Sequence, residues 1–247
     1  MKLEKKTKQI IFTAFLLWAV ILIFQFTDFD IRFQSLFYNF ETKSWILSKD
    51  NYLADLIFYS GFKKIFIIFA SIILLLSILS FFKKIKILEK YKKGLLIVCL
   101  STILVPSLAS LKSVTNVPCP VDIIEFGGDS IDVKILESYP KDYIQEKKQR
   151  CWPAGHATMG FSLMSLYFLF KKPRNQKIAL AFGVTVGVLT GGYKILIGDH
   201  FLSHTIVTMI LAWVVILIIH KLIIKENFEK STKIGRASCR ERVSSPV

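Results

Sequence analysis

The sequence is sparing with several of the residues that usually carry chemistry. Its 247 residues hold only 4 His and 4 Cys, and 18 Asp and Glu against 33 Lys and Arg, for a formal charge of +15. No HEXXH signature occurs and no pair of carboxylates converges near the histidines, which excludes a zinc-peptidase site and a hard-metal site of the usual kind. No Arg/Tyr/Phe-rich nucleic-acid module is present, and the basic residues fall in short clusters between apolar runs, so the charge does not point to nucleic acid. No small-residue cleavage site follows the first apolar run, Ile10–Phe26, which therefore reads as a retained membrane helix and not as a secretory signal. No internal repeat is visible. No pair of broken mid-membrane helices with opposing charges is visible either, which argues against a transporter.

What the chain has in abundance is apolar surface: 53% hydrophobic residues, 21 Phe and a mean hydropathy of +0.49. That is too oily for a soluble domain of this size, and several runs approach the ~17–25 residues needed to cross a bilayer. The pattern predicts an all-α, polytopic membrane protein with six spans: Ile10–Thr27, Ile65–Phe82, Leu95–Leu111, Pro153–Phe170, Ile178–Ile197 and His200–Ile224. Asp28–Lys64 reads as an interfacial amphipathic piece. Lys/Arg clusters at the N-terminus, at Lys83–Lys93, at Lys171–Lys177 and after Lys221 all fall on one side of a six-span chain, which the positive-inside rule makes cytoplasmic together with both termini. The acidic segment Lys112–Trp152 and the Gly198-Asp199 break then face the opposite side. Residues 1–233 read as one integral membrane domain. The stretch 234–247, with three of the six arginines (Arg236, Arg240, Arg242), reads as a disordered tail of foreign character.

This topology gathers polar residues at the outer ends of the last four spans: Lys112, His156, Lys194, His200 and His204. Ionisable groups near membrane depth are costly and mark functional sites by default. His220, beside Lys221 at the inner end of the last span, reads as an interfacial side chain. His200 and His204 share one helix face at i,i+4 spacing, which suits zinc or plain packing, but a zinc site needs a third ligand. A phosphate suits the set better. Pro153-Ala154-Gly155 opens a helix, with proline placed for the first turn, and free N–H groups at a helix N-terminus attract an anion. Gly155 permits close approach to the backbone, and the lysines add charge.

Three segments in order then resemble the motifs of the type-2 phosphatidic acid phosphatase superfamily, the lipid phosphate phosphatases. The first, Lys112–Pro120 (KSVTNVPCP), keeps the Lys and Pro of the family pattern with Cys119 where Arg is usual. The second is Pro153–His156 (PAGH), with Ala154 for Ser. The third, Tyr193–His204 (YKILIGDHFLSH), has Tyr193-Lys194 for Ser-Arg, His200 in place and His204 for Asp. The resemblance implies that His200 attacks phosphorus to form a phosphohistidine and that His156 protonates the leaving oxygen and then activates water. It further implies that Lys112, Lys194 and the Ala154 and Gly155 amides hold the phosphoryl oxygens, with no metal or other cofactor. The departures remove two bidentate arginine grips and the carboxylate that orients the nucleophile. Asp199 or an acidic residue of the long segment is expected to compensate.

Cys119 and Cys151 both fall on the expected periplasmic side, where disulfides persist, and are expected to bridge and pin the catalytic loop. Cys99 reads as core packing. The expected function is a metal-independent lipid phosphate phosphatase of the bacterial inner membrane with a periplasmic site. Candidate substrates are lipid A first, then undecaprenyl diphosphate, phosphatidylglycerol phosphate and phosphatidic acid. Alternatives are a lipid phosphotransferase using the same site and a catalytically impaired lipid-binding relative. Partners are the lipid substrate and the bilayer, with no nucleic acid and no obligate protein partner.

Overall fold

The computed structural model describes residues 5–82, 85–145 and 147–243, with side chains from Lys6 to Ile224 apart from the same gaps. Its helices are α1 (Lys5–Gln25), α2 (Phe29–Ser35), α3 (Tyr52–Asp55), α4 (Gly61–Leu79), α5 (Lys86–Ser107), α6 (Lys112–Thr115), α7 (Gly155–Ser162), α8 (Pro173–Leu196) and α9 (Leu202–Val243). A two-residue hairpin, β1 (Tyr38–Asn39) paired antiparallel with β2 (Ser44–Trp45), is the single sheet among the described residues. The expected tail, 234–247, lies outside the residues whose side chains are described.

Among the described residues, five helical stretches are long and apolar enough to cross a membrane: Lys6–Gln25, Tyr52–Leu79, Lys86–Asp122, Pro173–Leu196 and Leu202–Ile224. The second begins earlier than the hydropathy pattern suggested. α3, a π-helical turn at Leu56–Ser60 and α4 form one continuous helix, so the segment read as interfacial as far as Lys64 ends near Asn51, whose side chain caps α3 by accepting from the Ala54 N–H at 3.0 Å. The fourth expected span, Pro153–Phe170, is not one long α-helix. α7 gives way to a 3-10 helix at Leu163–Phe168, and the pair spans about 24 Å at ordinary helical rises. Its hydroxyls bond three residues back, Ser162 to the Met159 carbonyl at 2.7 Å and Ser165 to the Ser162 carbonyl at 2.6 Å. Such local bonds compete with the α-helical ladder and accompany the tighter winding.

This central piece is enclosed by α5, α8 and α9. Gly160 and Gly187 let the backbones of α7 and α8 nearly touch: a Cβ on Gly160 would sit 2.6 Å from the Gly187 Cα, and one on Gly187 would collide with the Phe161 ring. The core here is Val105, Ala154, Ala157, Phe161, Met164, Ala212 and Ile216. α1 packs on α9 yet leaves most of its surface uncovered, including Phe12, Phe15 and Trp18, as expected of a helix whose solvent is lipid.

A cap closes the end where the polar residues collect. Tyr38, Ile123, Phe126 and Phe201 form its apolar centre, with Ile31 and Trp45 against them. Buried Gln34 ties the cap to α8 by donating to the Ile195 carbonyl at 2.8 Å. The cap therefore combines α2 and the hairpin with the long loop after α6, two parts of the chain far apart in sequence.

Candidate active site

The bend between α8 and α9 carries His200, and several restraints fix it. Gly198 adopts φ 76°, a left-handed conformation costly for other residues. The amides of Asp199 and His200 both donate to the Lys194 carbonyl, at 2.8 and 3.2 Å, and Val121 N–H donates to the Gly198 carbonyl at 3.0 Å. Trp45 covers Gly198 so closely that a Cβ there would enter the indole. His200, His204 and Lys194 are buried at 3%, 3% and 5% exposure, so their polar atoms depend on one another and not on bulk water.

The His200 ring has two differently furnished nitrogens. Nε2 lies 3.4 Å from the Lys112 ammonium. Nδ1 lies 3.2 Å from Cys151 Sγ and 3.5 Å from His204 Nδ1. Burial first, and then the charge of Lys112, hold the imidazole well below its ordinary pKa, so at neutral pH it is an uncharged base. His204, His156 and Lys194 act on the same ring in the same direction. Of the five polar residues expected to meet, Lys112 and His204 approach His200 directly, and Lys194 and His156 lie within electrostatic reach of it.

Lys112 also lies over the start of α7, where a Cβ on Gly155 would come 3.2 Å from the Lys112 Cε and 3.4 Å from its Nζ. The glycine thus lets ammonium and backbone approach the same point. Two details of the second motif differ from expectation. α7 begins at Gly155 with Ala154 as the N-cap residue, so Pro153 precedes the helix and does not occupy its first turn. The Ala154 N–H donates to Thr208 Oγ1 at 2.9 Å and is already engaged. It fastens the loop to α9, while the Gly155 end of α7 faces Lys112. Thr208 could have been suspected, since it follows His204 by four residues and shares its helix face.

Lys194 is engaged by Asp199 at 2.8 Å, and Lys49 reaches the other oxygen of that carboxylate at 3.5 Å. Asp199 therefore balances lysines and does not replace the missing third-motif carboxylate behind His200. Tyr59 lies between two catalytic candidates: its ring centroid is 4.4 Å from that of His156 and 4.3 Å from the Lys194 ammonium. Neither Lys49 nor Tyr59 carries a sequence signal, because both come from the stretch read as interfacial.

Cys119 and Cys151 are joined in a disulfide, and the Cys151 N–H donates to the Val117 carbonyl at 3.0 Å. Cys119, Cys151 and His200 offer ligand atoms within 4.8 Å of one another. The two sulfurs are bonded to each other, however, and present no thiolate to a metal. Cys99 is buried and free, against Ile73, Leu95 and Val98.

Comparison with known proteins agrees with this arrangement. The PAP2 superfamily profile matches residues 94–228, a stretch that holds Lys112, His156, Lys194, His200 and His204. The chain is 28% identical over 219 residues to the lipid A 4'-phosphatase of Francisella tularensis subsp. novicida (strain U112), covering 87% of this chain and 94% of that protein. No solved structure matches. With more than half of its length matched, the chain belongs to the PAP2 superfamily.

Proposed function

We propose that the protein is a lipid phosphatase that removes a phosphate from a membrane lipid through a covalent phosphohistidine. The observation that carries the reading is a buried, neutral His200 whose Nε2 faces the Lys112 ammonium at 3.4 Å, with that lysine also lying over Gly155 at the start of the helix bearing His156. A phosphoryl group held by Lys112, Lys194 and the N-terminal end of α7 meets the Nε2 lone pair. The Nε2–P bond forms as the bond to the lipid oxygen breaks, and His156 gives that oxygen its proton. In the second half His156 takes a proton from water, the water oxygen attacks phosphorus, and the Nε2–P bond breaks to release phosphate. The lysines and the helix end offset the charge on the equatorial oxygens in both steps. Every group in this scheme is a side chain or amide of the protein.

Lipid A is the preferred substrate, supported by the activity of the Francisella relative. The apolar helices support action within a bilayer. The basic clusters on the face opposite the site support cytoplasmic termini and a periplasmic site in the bacterial inner membrane, with α7 and its 3-10 extension as the short sixth span. Histidine at position 204, where the family pattern has a carboxylate, favours a second reading in which the protein is a weakly active lipid-binding relative.

The two readings separate on inorganic phosphate release by the purified protein in detergent micelles. The substrates are lipid A, phosphatidic acid, phosphatidylglycerol phosphate and undecaprenyl diphosphate. The expected result is release from lipid A, reduced by about 10²-fold or more in His156→Ala and to background in His200→Ala. No release from any of these lipids, or equal rates in the wild type and both variants, overturns the phosphatase reading. Mass spectrometry of membrane lipids with and without the gene identifies the substrate and the phosphate position.

A further inference from the structure

A histidine nucleophile that uses Nε2 must carry its proton on Nδ1, and it works best when that proton is held by an acceptor that also stabilises the imidazolium formed after attack. His204 faces Nδ1 but is a neutral group, and Asp199 is committed to Lys194 and Lys49.

Behind His204 the structure contains a small cavity of about 40 Å³, lined by His204, Asp30, Asp132, Lys134, Ser203 and Trp152 among others. Its two carboxylates come from distant places, Asp30 from α2 and Asp132 from the long loop. Asp30 Oδ1 accepts the Ser203 N–H at 2.9 Å, so that it caps the start of α9 one residue before His204. Lys134 holds this part of the loop against the end of α1, with Nζ donating to the Gln25 and Thr27 carbonyls at 3.3 and 3.0 Å.

We propose that Asp30 and Asp132 are positioning residues that act on His200 through His204 across this cavity, supplying from outside the third motif the negative charge which that motif lacks. The inference rests on the phosphatase reading above. His200 Nδ1–H donates to His204 Nδ1, and His204 Nε2–H then donates towards the carboxylate pair. A volume of about 40 Å³ has room for a bridging water between imidazole and carboxylate. No proton leaves the pair of rings: when Nε2 bonds to phosphorus, the positive charge of the phosphorylated ring is shared through Nδ1–H with His204 and balanced by the carboxylates.

Burial pushes both carboxyls up to about 6. Asp30 is restrained by its bonds to Ser203 and then by Lys134, while Asp132 is pushed further by Glu125 and restrained by Lys134, with Asp30 and Glu137 also facing it. Above about pH 6 the pair is charged and the relay operates, and below it the carboxyls protonate and the negative charge is lost.

The test is a comparison of Asp30→Asn and Asp132→Asn in two backgrounds, wild type and His204→Asp. In the wild type each is expected to lower kcat for lipid phosphate release by about 10–100-fold with little change in KM, the range found when an outer partner that orients a metal-bound histidine is removed. In His204→Asp, which brings a carboxylate directly to His200, the same substitutions are expected to change kcat by less than about threefold. Equal losses in both backgrounds, or no loss in the wild type, overturn the inference while leaving the phosphatase intact. An inactive wild type overturns the phosphatase itself.

The pH profile reads the same device independently of His204→Asp. Wild-type kcat is expected to fall as pH drops through about 6, and this limb is expected to vanish in the Asn variants. An acid limb unchanged by both substitutions also overturns the relay. Thermal unfolding checks the folded state: exchanging a desolvated carboxyl for an amide is expected to leave Tm equal or raised.

Discussion

The two faces of the His200 ring are built on different plans. On the Nε2 side stand Lys112 and, beneath its side chain, Gly155, residues that match the family pattern. On the Nδ1 side the pattern is replaced: a disulfide sulfur lies 3.2 Å away and a second histidine 3.5 Å away, with Asp30 and Asp132 lining a cavity beside that histidine. The contrast teaches that, in the proposed mechanism, phosphate binding rests on local sequence, whereas orientation of His200 is delegated to the cap. The first needs a cation and a helix end within a few ångströms, and a short motif can supply both. The second needs only negative potential behind a ring, which any part of the fold can supply.

Breaking the Nε2 side should have the largest effect. Lys112→Met removes the ammonium facing both Nε2 and the Gly155 backbone, and kcat/KM for phosphate release is expected to fall by about 10²–10³-fold. A loss below tenfold would mean that Lys112 is not a principal phosphate ligand. Breaking the Nδ1 side at the disulfide should be milder for chemistry but plain in stability. The Cys119→Ser/Cys151→Ser variant opens a crosslink with a sequence separation of 32 residues, which should lower unfolding stability by about 2–4 kcal/mol. Unfolding in matched micelles measures this, and an unchanged Tm would show that the cap is held without the bridge. The smallest effect is expected at the rim. The Lys49 side chain is 71% exposed, and its contact with Asp199 is solvated, so Lys49→Ala should change kcat/KM by less than about threefold, and less still at high salt. A larger loss would move Lys49 from the rim into the phosphate site.

The apolar architecture was legible because each long helix announces itself by a run of Ile, Leu and Phe that water cannot solvate. The exceptions follow from local physics. The α3–α4 helix begins at Tyr52, 13 residues before the expected Ile65, because Lys63 and Lys64 break the hydropathy run without breaking the helix: a long cationic side chain can reach polar surroundings from an apolar stretch. The Pro153–Phe170 segment looked like one more span, yet its Gly, Ser and Thr content favours close packing and local hydroxyl bonds, and the structure winds it as α7 and a 3-10 helix. Lys112, His156, Lys194, His200 and His204 were readable because spacing along helices fixes which ends they occupy. The engagement of the Ala154 amide was not readable, since nothing in PAGH shows that Thr208 will accept from it. Tyr59, Lys49, Asp30 and Asp132 lie outside the three motifs, and only the tertiary fold brings them to the site.

The sequence by itself determined a membrane-embedded helical protein with a histidine–lysine cluster at one end, because hydrophobic run length and residue spacing are properties of the chain alone. The tertiary structure decided which groups stand behind His200 and His204. Asp30 and His204 are separated by 174 positions, and their shared cavity exists because α2 packs on the start of α9 while the long loop closes over both. Electrostatic effects depend on distance through space and on burial, and neither is recorded in the order of residues.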